Sequence, residues 1–214
     1  MSNLGNEGFQ NNVSQQSDKP QIINVGDVMY DAVQYYRGVA EPSVETGRTL
    51  NELSESFFLA TVHRAENTDD PKRLAGIIEG LERVASDVPV ILPLHPRTRK
   101  KIEAGGKQFD RVLLIDPVGY FDMLVLLGRC RAVLTDSGGM QKEAYFFGKP
   151  CITLRDETEW VELIDGGYNL LAGADPDRIV ESVNIQCSKS FDWNKQLYGD
   201  GNAAEKILAS IMSG

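Results

Sequence analysis

The stretch Ala132-Val133-Leu134-Thr135-Asp136-Ser137-Gly138-Gly139-Met140-Gln141-Lys142-Glu143-Ala144 passes from strand character to helix character through a glycine pair. A short apolar strand over 132–135, a turn at Asp136-Ser137-Gly138-Gly139 and a helix from Gly139 to Phe147 make one strand-to-helix unit. The unit recurs on both sides. Phe57 to Val62 reads as an apolar strand. Pro71 to Ala85 reads as a helix, with Leu74, Ile77, Ile78, Leu81 and Val84 on one face at spacings of three and four. Asp70 caps that helix, and Pro71 fits its first position, where a backbone N–H has no partner to lose. Val90–Leu94, Val112–Ile115, Cys151–Leu154 and Asn169–Ala172 read as further strands. Helices from about Thr98 to Ala104, Tyr120 to Cys130, Trp160 to Ile164 and Asp175 to Gln186 follow them. Strands of continuous apolar residues separated by helices predict an α/β fold: a Rossmann-like parallel sheet with helices on both faces.

The flanks are less regular. Residues 1–20 are rich in Asn, Gln, Ser and Gly and read as a loose arm, or as a piece whose packing partner lies elsewhere. Ile22-Ile23-Asn24-Val25 looks like a strand, Val28 to Tyr36 like a helix, and 38–56 like a connection with one short helix. A last helix runs from Asn202 to Met212, with Ala203, Ile207, Leu208 and Ile211 on one face. The core domain is expected at 55–190, and the terminal helix within 191–214.

Bulk properties narrow the function. The chain has 214 residues, 42% of them apolar, and carries 22 basic against 31 acidic side chains, a net charge of −9. Such a surface argues against non-specific nucleic-acid binding, which needs basic patches on phosphate. An anionic ligand must then be held by a local group of cations and backbone N–H groups. Cys130, Cys151 and Cys187 are far apart and odd in number, which suits reduced thiols in a reducing compartment. With two histidines in all, a zinc site has almost no ligands to draw on, and no cofactor is expected. No apolar run reaches the ~20 residues of a membrane span, and the polar start is no secretory signal. The expected location is the cytoplasm, with no membrane partner.

In a parallel α/β sheet, ligands bind beyond the carboxyl ends of the strands. There the sequence places His63-Arg64-Ala65-Glu66-Asn67, His95-Pro96-Arg97-Thr98, Asp136-Ser137-Gly138-Gly139 and Arg155-Asp156-Glu157-Thr158-Glu159. Both histidines, three arginines and the glycine pair thus share one rim. Ser137, Gly138 and Gly139 suit phosphate, since glycines let the backbone approach a ligand and the next helix adds a positive dipole end. A tight turn with a Ser cap is the other reading of the same residues. Glu143, one turn beyond Gly139, is either a ribose acceptor or a solvated helix residue. Arg64 can neutralise phosphate with its planar fork. His63 either donates a proton to a leaving phosphate oxygen or is a hydrogen-bonded loop histidine. Glu66 and Asn67 are read as orienting that loop. His95, before Pro96, is either a ligand contact or a turn residue.

Taken in order, the blocks Thr61-Val62-His63-Arg64-Ala65-Glu66-Asn67, Leu94-His95-Pro96-Arg97-Thr98, Leu134-Thr135-Asp136-Ser137-Gly138-Gly139-Met140-Gln141-Lys142-Glu143-Ala144, Gly148-Lys149-Pro150 and Leu154-Arg155-Asp156-Glu157-Thr158-Glu159 resemble the non-hydrolysing UDP-N-acetylglucosamine 2-epimerases. The ending Tyr198-Gly199-Asp200-Gly201-Asn202-Ala203 is similar too, and the likeness covers about residues 55–212. It implies two Rossmann-like domains in the glycosyltransferase-B arrangement, with a UDP-sugar in the cleft. It implies inversion of the carbon bearing the acetamido group, by UDP elimination and re-addition. Ser137, Gly138 and Gly139 would hold the diphosphate, and Glu143 the ribose. His63 would stand at the catalytic end with Arg64 beside it. Arg155, His95 and the Met123 backbone would be further ligand contacts.

The chain departs from this pattern in three places. The family's N-terminal domain has no counterpart, so 1–20 is expected to be its remnant, 21–54 the crossover, and the terminal helix to pack back on that domain. Trp160 stands where many members have Arg. Val118 and Met123 stand where some have a Gln and a Phe lining the base pocket. The Thr-Glu-Trp version looks more like the branch acting on diacetamido-glucuronate sugars. A homodimer is implied for the full-length protein. Competing readings are the nucleotide-binding half of a glycosyltransferase of the same architecture and a non-catalytic UDP-sugar-binding module.

Overall fold

A computed structural model describes residues 22–53, 56–105 and 109–213. Residues 1–20 lie outside the described residues. Backbone contacts divide the chain into two units, one of residues up to Asp31 together with Tyr198 onward, the other Ala32–Leu197.

The larger unit is built on six strands: β1 (Phe58–Thr61), β2 (Val90–Pro93), β3 (Leu113–Ile115), β4 (Ala132–Thr135), β5 (Cys151–Thr153) and β6 (Asn169–Leu171). They form one sheet in the order β3-β2-β1-β4-β5-β6, every pair parallel. The helices, in chain order, are α1 (Val28–Tyr36), α2 (Val44–Glu52), α3 (Ala65–Thr68), α4 (Pro71–Val84), α5 (Pro96–Ala104), α6 (Tyr120–Arg129), α7 (Gly138–Phe146), α8 (Val161–Asp165), α9 (Pro176–Ser188) and α10 (Ala203–Ser213).

The strands read as continuous apolar runs because both faces are covered. Phe58, Ala60 and Val62 join one buried cluster with Ile77, Leu81 and Ile179, while Phe57 and Leu59 join a second with Leu126, Leu127 and Met140. Burying side chains such as Ile77 and Leu81 completely is worth about 1.5–3 kcal/mol each. The α4 start follows its sequence signals: Asp70 accepts from Lys72 N (2.8 Å) and Arg73 N (3.2 Å), and Pro71 opens the helix. Gly76 sits so close to the Ala174 carbonyl that a Cβ would collide with it.

Element boundaries follow the sequence reading to within one or two residues, with one correction. Ile22–Val25 is not a strand; residues 22–27 are irregular, and the Asn24 carboxamide accepts from Gly26 N. Four residues of strand character become a strand only with a ladder partner, and these have none among the described residues. The one-turn helix α3, unforeseen in the sequence, directly follows Arg64. In the smaller unit, Asp27 N donates to Tyr198 O and Ala204 N to Asp31 Oδ2, while Leu208, Ile211 and Met212 on α10 are exposed. No described helix is long and apolar enough to cross a membrane.

Candidate functional site

The strand order fixes where a ligand goes. From β1 the chain builds outward through β2 and β3, and from β4 in the opposite direction through β5 and β6. The reversal leaves a crevice beyond the carboxyl ends of β1 and β4, the binding position in open α/β sheets. Thr61 and Thr135 are register partners there, their hydroxyl oxygens 2.6 Å apart, so the two strands end level. His63 and Arg64 leave one strand, and Asp136, Ser137 and Gly138 leave the other.

Asp136 ties the two ends together. Its carboxylate is buried, at 0% exposure. Oδ2 accepts from Arg64 N (2.9 Å), His63 N (3.1 Å) and Asn67 Nδ2 (3.1 Å). Oδ1 also accepts from His63 N at 3.1 Å and lies 3.5 Å from His63 Nδ1. Asn67, likewise at 0% exposure, donates to Leu154 O beyond β5 (2.9 Å) and accepts from Arg73 Nε (3.0 Å); Arg73 in turn reaches Asp156. The turn of helix at α3 is what brings Asn67 back onto Asp136, so the orienting role read for Asn67 has a concrete partner.

The loop after β4 combines both sequence readings. Ser137 caps α7, accepting from Met140 N at 3.4 Å, and its own N–H donates to Thr135 Oγ1 (2.9 Å). The first turn of α7 therefore lies at the mouth of the crevice, its positive dipole end at the rim. Gly138 is closely packed in a way the sequence does not show. A Cβ there would stand 2.5 Å from Glu159 Oε1 and 3.2 Å from Trp160 Nε1. The loop after β5 packs onto the glycine.

That packing is carried by ions. Arg155 donates through Nε to Glu66 Oε1 and through an Nη to Glu159 Oε2, both at 2.8 Å, and its side chain is only 10% exposed. Burial acts to lower the guanidinium value, and the bonds to Glu159 and Glu66 outweigh it and raise it. Glu159 is held below the usual carboxylate range, first by its own backbone N–H, then by Arg155 and Arg64. Arg64 lies 3.8 Å from Glu159 Oε1, and its side chain is 40% exposed. Arg155 is thus spent on two carboxylates, while Arg64 remains accessible. Behind Gly138, Lys142 Nζ sits 4.4 Å from the Trp160 ring centre, a cation–π contact.

A cavity of about 230 Å³ brings four of the sequence candidates together: His63, His95, Met123 and Ser137, with Thr61 and Met140. A second hollow of about 160 Å³ continues from it past both histidines to Arg97 and Thr98. Glu143 is half-buried on α7, and burial pushes its carboxyl up against a smaller opposing pull from Lys142. The Tyr120 phenol beside it is raised by burial, then by Glu143 and Tyr36. Sequence reasoning missed Asp136, Glu159 and Trp160 as builders of the site. Asp136 and Glu159 each follow a strand and so carried a positional signal, but the contacts of Asp136 with His63 and of Glu159 and Trp160 with Gly138 join segments distant in the chain.

Known proteins share this fold. The family model described as UDP-N-acetylglucosamine 2-epimerase matches residues 3–212. The UDP-2,3-diacetamido-2,3-dideoxy-D-glucuronate 2-epimerase of Pseudomonas aeruginosa is 50% identical over 96% of this chain, which spans 55% of that protein. A UDP-N-acetylglucosamine 2-epimerase homolog of Methanococcus maripaludis is 40% identical over 96% of the chain and 56% of its own length. The UDP-GlcNAc 2-epimerase of Methanocaldococcus jannaschii, solved in complex with UDP-GlcNAc and UDP, superposes with a TM-score of 0.83 at 34% identity, covering 100% of this chain and 58% of that one. The chain spans about half the length of the curated relatives it matches. With the family model matched over nearly its whole length, the chain belongs to the UDP-N-acetylglucosamine 2-epimerase family.

Proposed function

We propose that this chain supplies the UDP-binding half of a nucleotide-sugar 2-epimerase of the glycosyltransferase-B arrangement. The observation that carries the reading is the crevice between β1 and β4, where the α7 N-terminus meets His63 and Arg64. Ser137, Gly138 and Gly139 would hold the diphosphate and Arg64 would neutralise it. Glu143 would accept the ribose hydroxyls, and the Met123 backbone would meet the base. His63 would exchange a proton with the UDP oxygen that departs in the elimination and returns in the re-addition. His95 lines the same cavity and would touch the sugar end. Arg155 would act through Glu159, which it holds against Gly138.

The substrate is a UDP-2-acetamido sugar. The 50% identity to the diacetamido-glucuronate enzyme and the Thr158-Glu159-Trp160 run favour that branch over UDP-N-acetylglucosamine itself. The whole enzyme is proposed to be a cytoplasmic homodimer that needs no cofactor.

Calorimetric titration of UDP into the chain tests the reading. One site per chain is expected, and Arg64→Ala should weaken it about tenfold or more, the loss of a charge-assisted contact of about 1.4 kcal/mol or above. Turnover of UDP-sugars by these residues alone should be slight, since the crevice carboxylates have other roles: Asp136 is buried under the His63, Arg64 and Asn67 donors, Glu159 is bound to Arg155, and Glu143 would hold the ribose. Absence of UDP binding, or an Arg64→Ala variant that binds as well as the parent, would remove the basis of the proposal.

A further inference from the structure

The two histidines lining the cavity differ in what their Nδ1 atoms face. His63 Nδ1 lies 3.5 Å from Oδ1 of the buried Asp136. An ionised carboxylate has only acceptor capacity, so a bare Nδ1 would set two lone pairs against each other, whereas an N–H there is attracted. His95 stands immediately before α5, and its Nδ1 accepts from Arg97 N at 3.2 Å. This is the bond a capping side chain makes to one of the orphan N–H groups of a first helical turn. A nitrogen that accepts cannot carry the proton, which then sits on Nε2.

We infer that the crevice holds its two histidines in opposite neutral tautomers, His63 with the proton on Nδ1 and His95 with the proton on Nε2, and that Asp136 is the positioning residue for His63. The fixing is strong on the Asp136 side, because the carboxylate is itself immobilised. Oδ2 takes three donors, from Arg64 N, His63 N and Asn67 Nδ2, and only Oδ1 is turned to the ring. Neutral His63 therefore presents a bare acceptor at Nε2, and His95 a donor. Protonated His63 keeps its Nδ1 proton on the carboxylate and exchanges the one on Nε2, the division of labour of a carboxylate-held imidazole. The consequence that this Nε2 proton passes to a phosphate oxygen, and is returned by it, rests on the nucleotide-sugar reading above. The tautomers themselves do not.

The chain has only two histidines, so a long-range ¹H–¹⁵N correlation of the labelled protein contains two imidazole patterns. Recorded at the alkaline end of a pH series, where the patterns no longer change with pH, it reports the neutral tautomers. His95→Asn assigns them. The expected result is a protonated-type shift at Nδ1 of His63 and at Nε2 of His95. In Asp136→Asn, the amide oxygen takes the three donors at the Oδ2 position and turns its NH₂ toward the ring. His63 should then invert to the Nε2–H form while His95 stays unchanged. An Nε2–H pattern for His63 in the parent chain overturns the inference, even if the variant fails to fold. So does a folded Asp136→Asn protein whose His63 pattern does not change. A chain with the expected tautomers that binds no UDP would contradict the functional reading and leave this one standing.

Discussion

Replacing Asp136 by Ala removes the acceptor for three N–H groups at once: His63 N, Arg64 N and Asn67 Nδ2. Asn67 keeps the Leu154 carbonyl as a second partner, so the loss falls mainly on two backbone donors. A buried donor left unsatisfied costs about 1–3 kcal/mol, and water entering from the rim recovers part of it. The expected destabilisation is about 3 kcal/mol. Asp136→Asn keeps an oxygen for the same donors and should cost about 1 kcal/mol. Asp156→Ala, which removes an exposed partner of Arg73, is the control and should cost less than about 1 kcal/mol. Urea unfolding at neutral pH reads all three. With a slope of about 2 kcal/mol/M, the Asp136→Ala midpoint should fall by about 1.5 M. An Asp136→Ala midpoint close to the parent, or equal midpoints for the Ala and Asn variants, would refute the assignment of Asp136 as the tie between β1 and β4.

Three further outcomes are expected. Burial raises the Glu143 carboxyl above its ordinary value of 4.5, so the folded state holds that proton more tightly than the unfolded chain and stability falls as pH rises from there toward neutrality; Glu143→Gln should raise Tm at pH 7, give no gain at pH 4, and weaken UDP binding by calorimetry. Gly138→Ala places a methyl against Glu159 and should cost about tenfold in UDP affinity with little change in Tm, since Ala recovers about 0.5–1 kcal/mol in a helix; parent-like affinity would contradict the packing account. Cys130 and Cys151 are buried with thiols pushed up to about 12, so a thiol reagent should modify only the partly buried Cys187 in the folded chain, and all three after denaturation.

The fold was legible because its signals are local. The apolar runs of β1 and β4, the Asp70-Pro71 start of α4 and the Ser137-Gly138 turn each sit within a few residues of their effect. The rim positions of His63, His95 and Ser137 followed from one topological rule, and the cavity does bring them together. What stayed hidden depends on partners remote in the chain. Asp136 meets His63 across 73 residues, and Arg155 meets Glu66 across 89. Arg155 shows the difference most clearly. As a rim arginine it read as a ligand contact; its Nε and one Nη meet Glu66 and Glu159, partners the local sequence did not point to. Gly138 was read as a backbone approach to a ligand, and the neighbours that crowd it, Glu159 and Trp160, left no mark in the local sequence. The run at Ile22–Val25 misled because strand character in four residues says nothing about whether a partner strand is there.

On the proposed reading, UDP binds in the crevice beyond β1 and β4. Titrating UDP into the ¹⁵N-labelled chain and following the backbone amides tests it most directly. The largest shifts are expected at Ser137, Gly138 and Gly139, with His63 and Arg64 next. Shifts confined to another surface, such as the apolar groove of about 550 Å³ between α4 and α5 around Leu74 and Ile102, would contradict it.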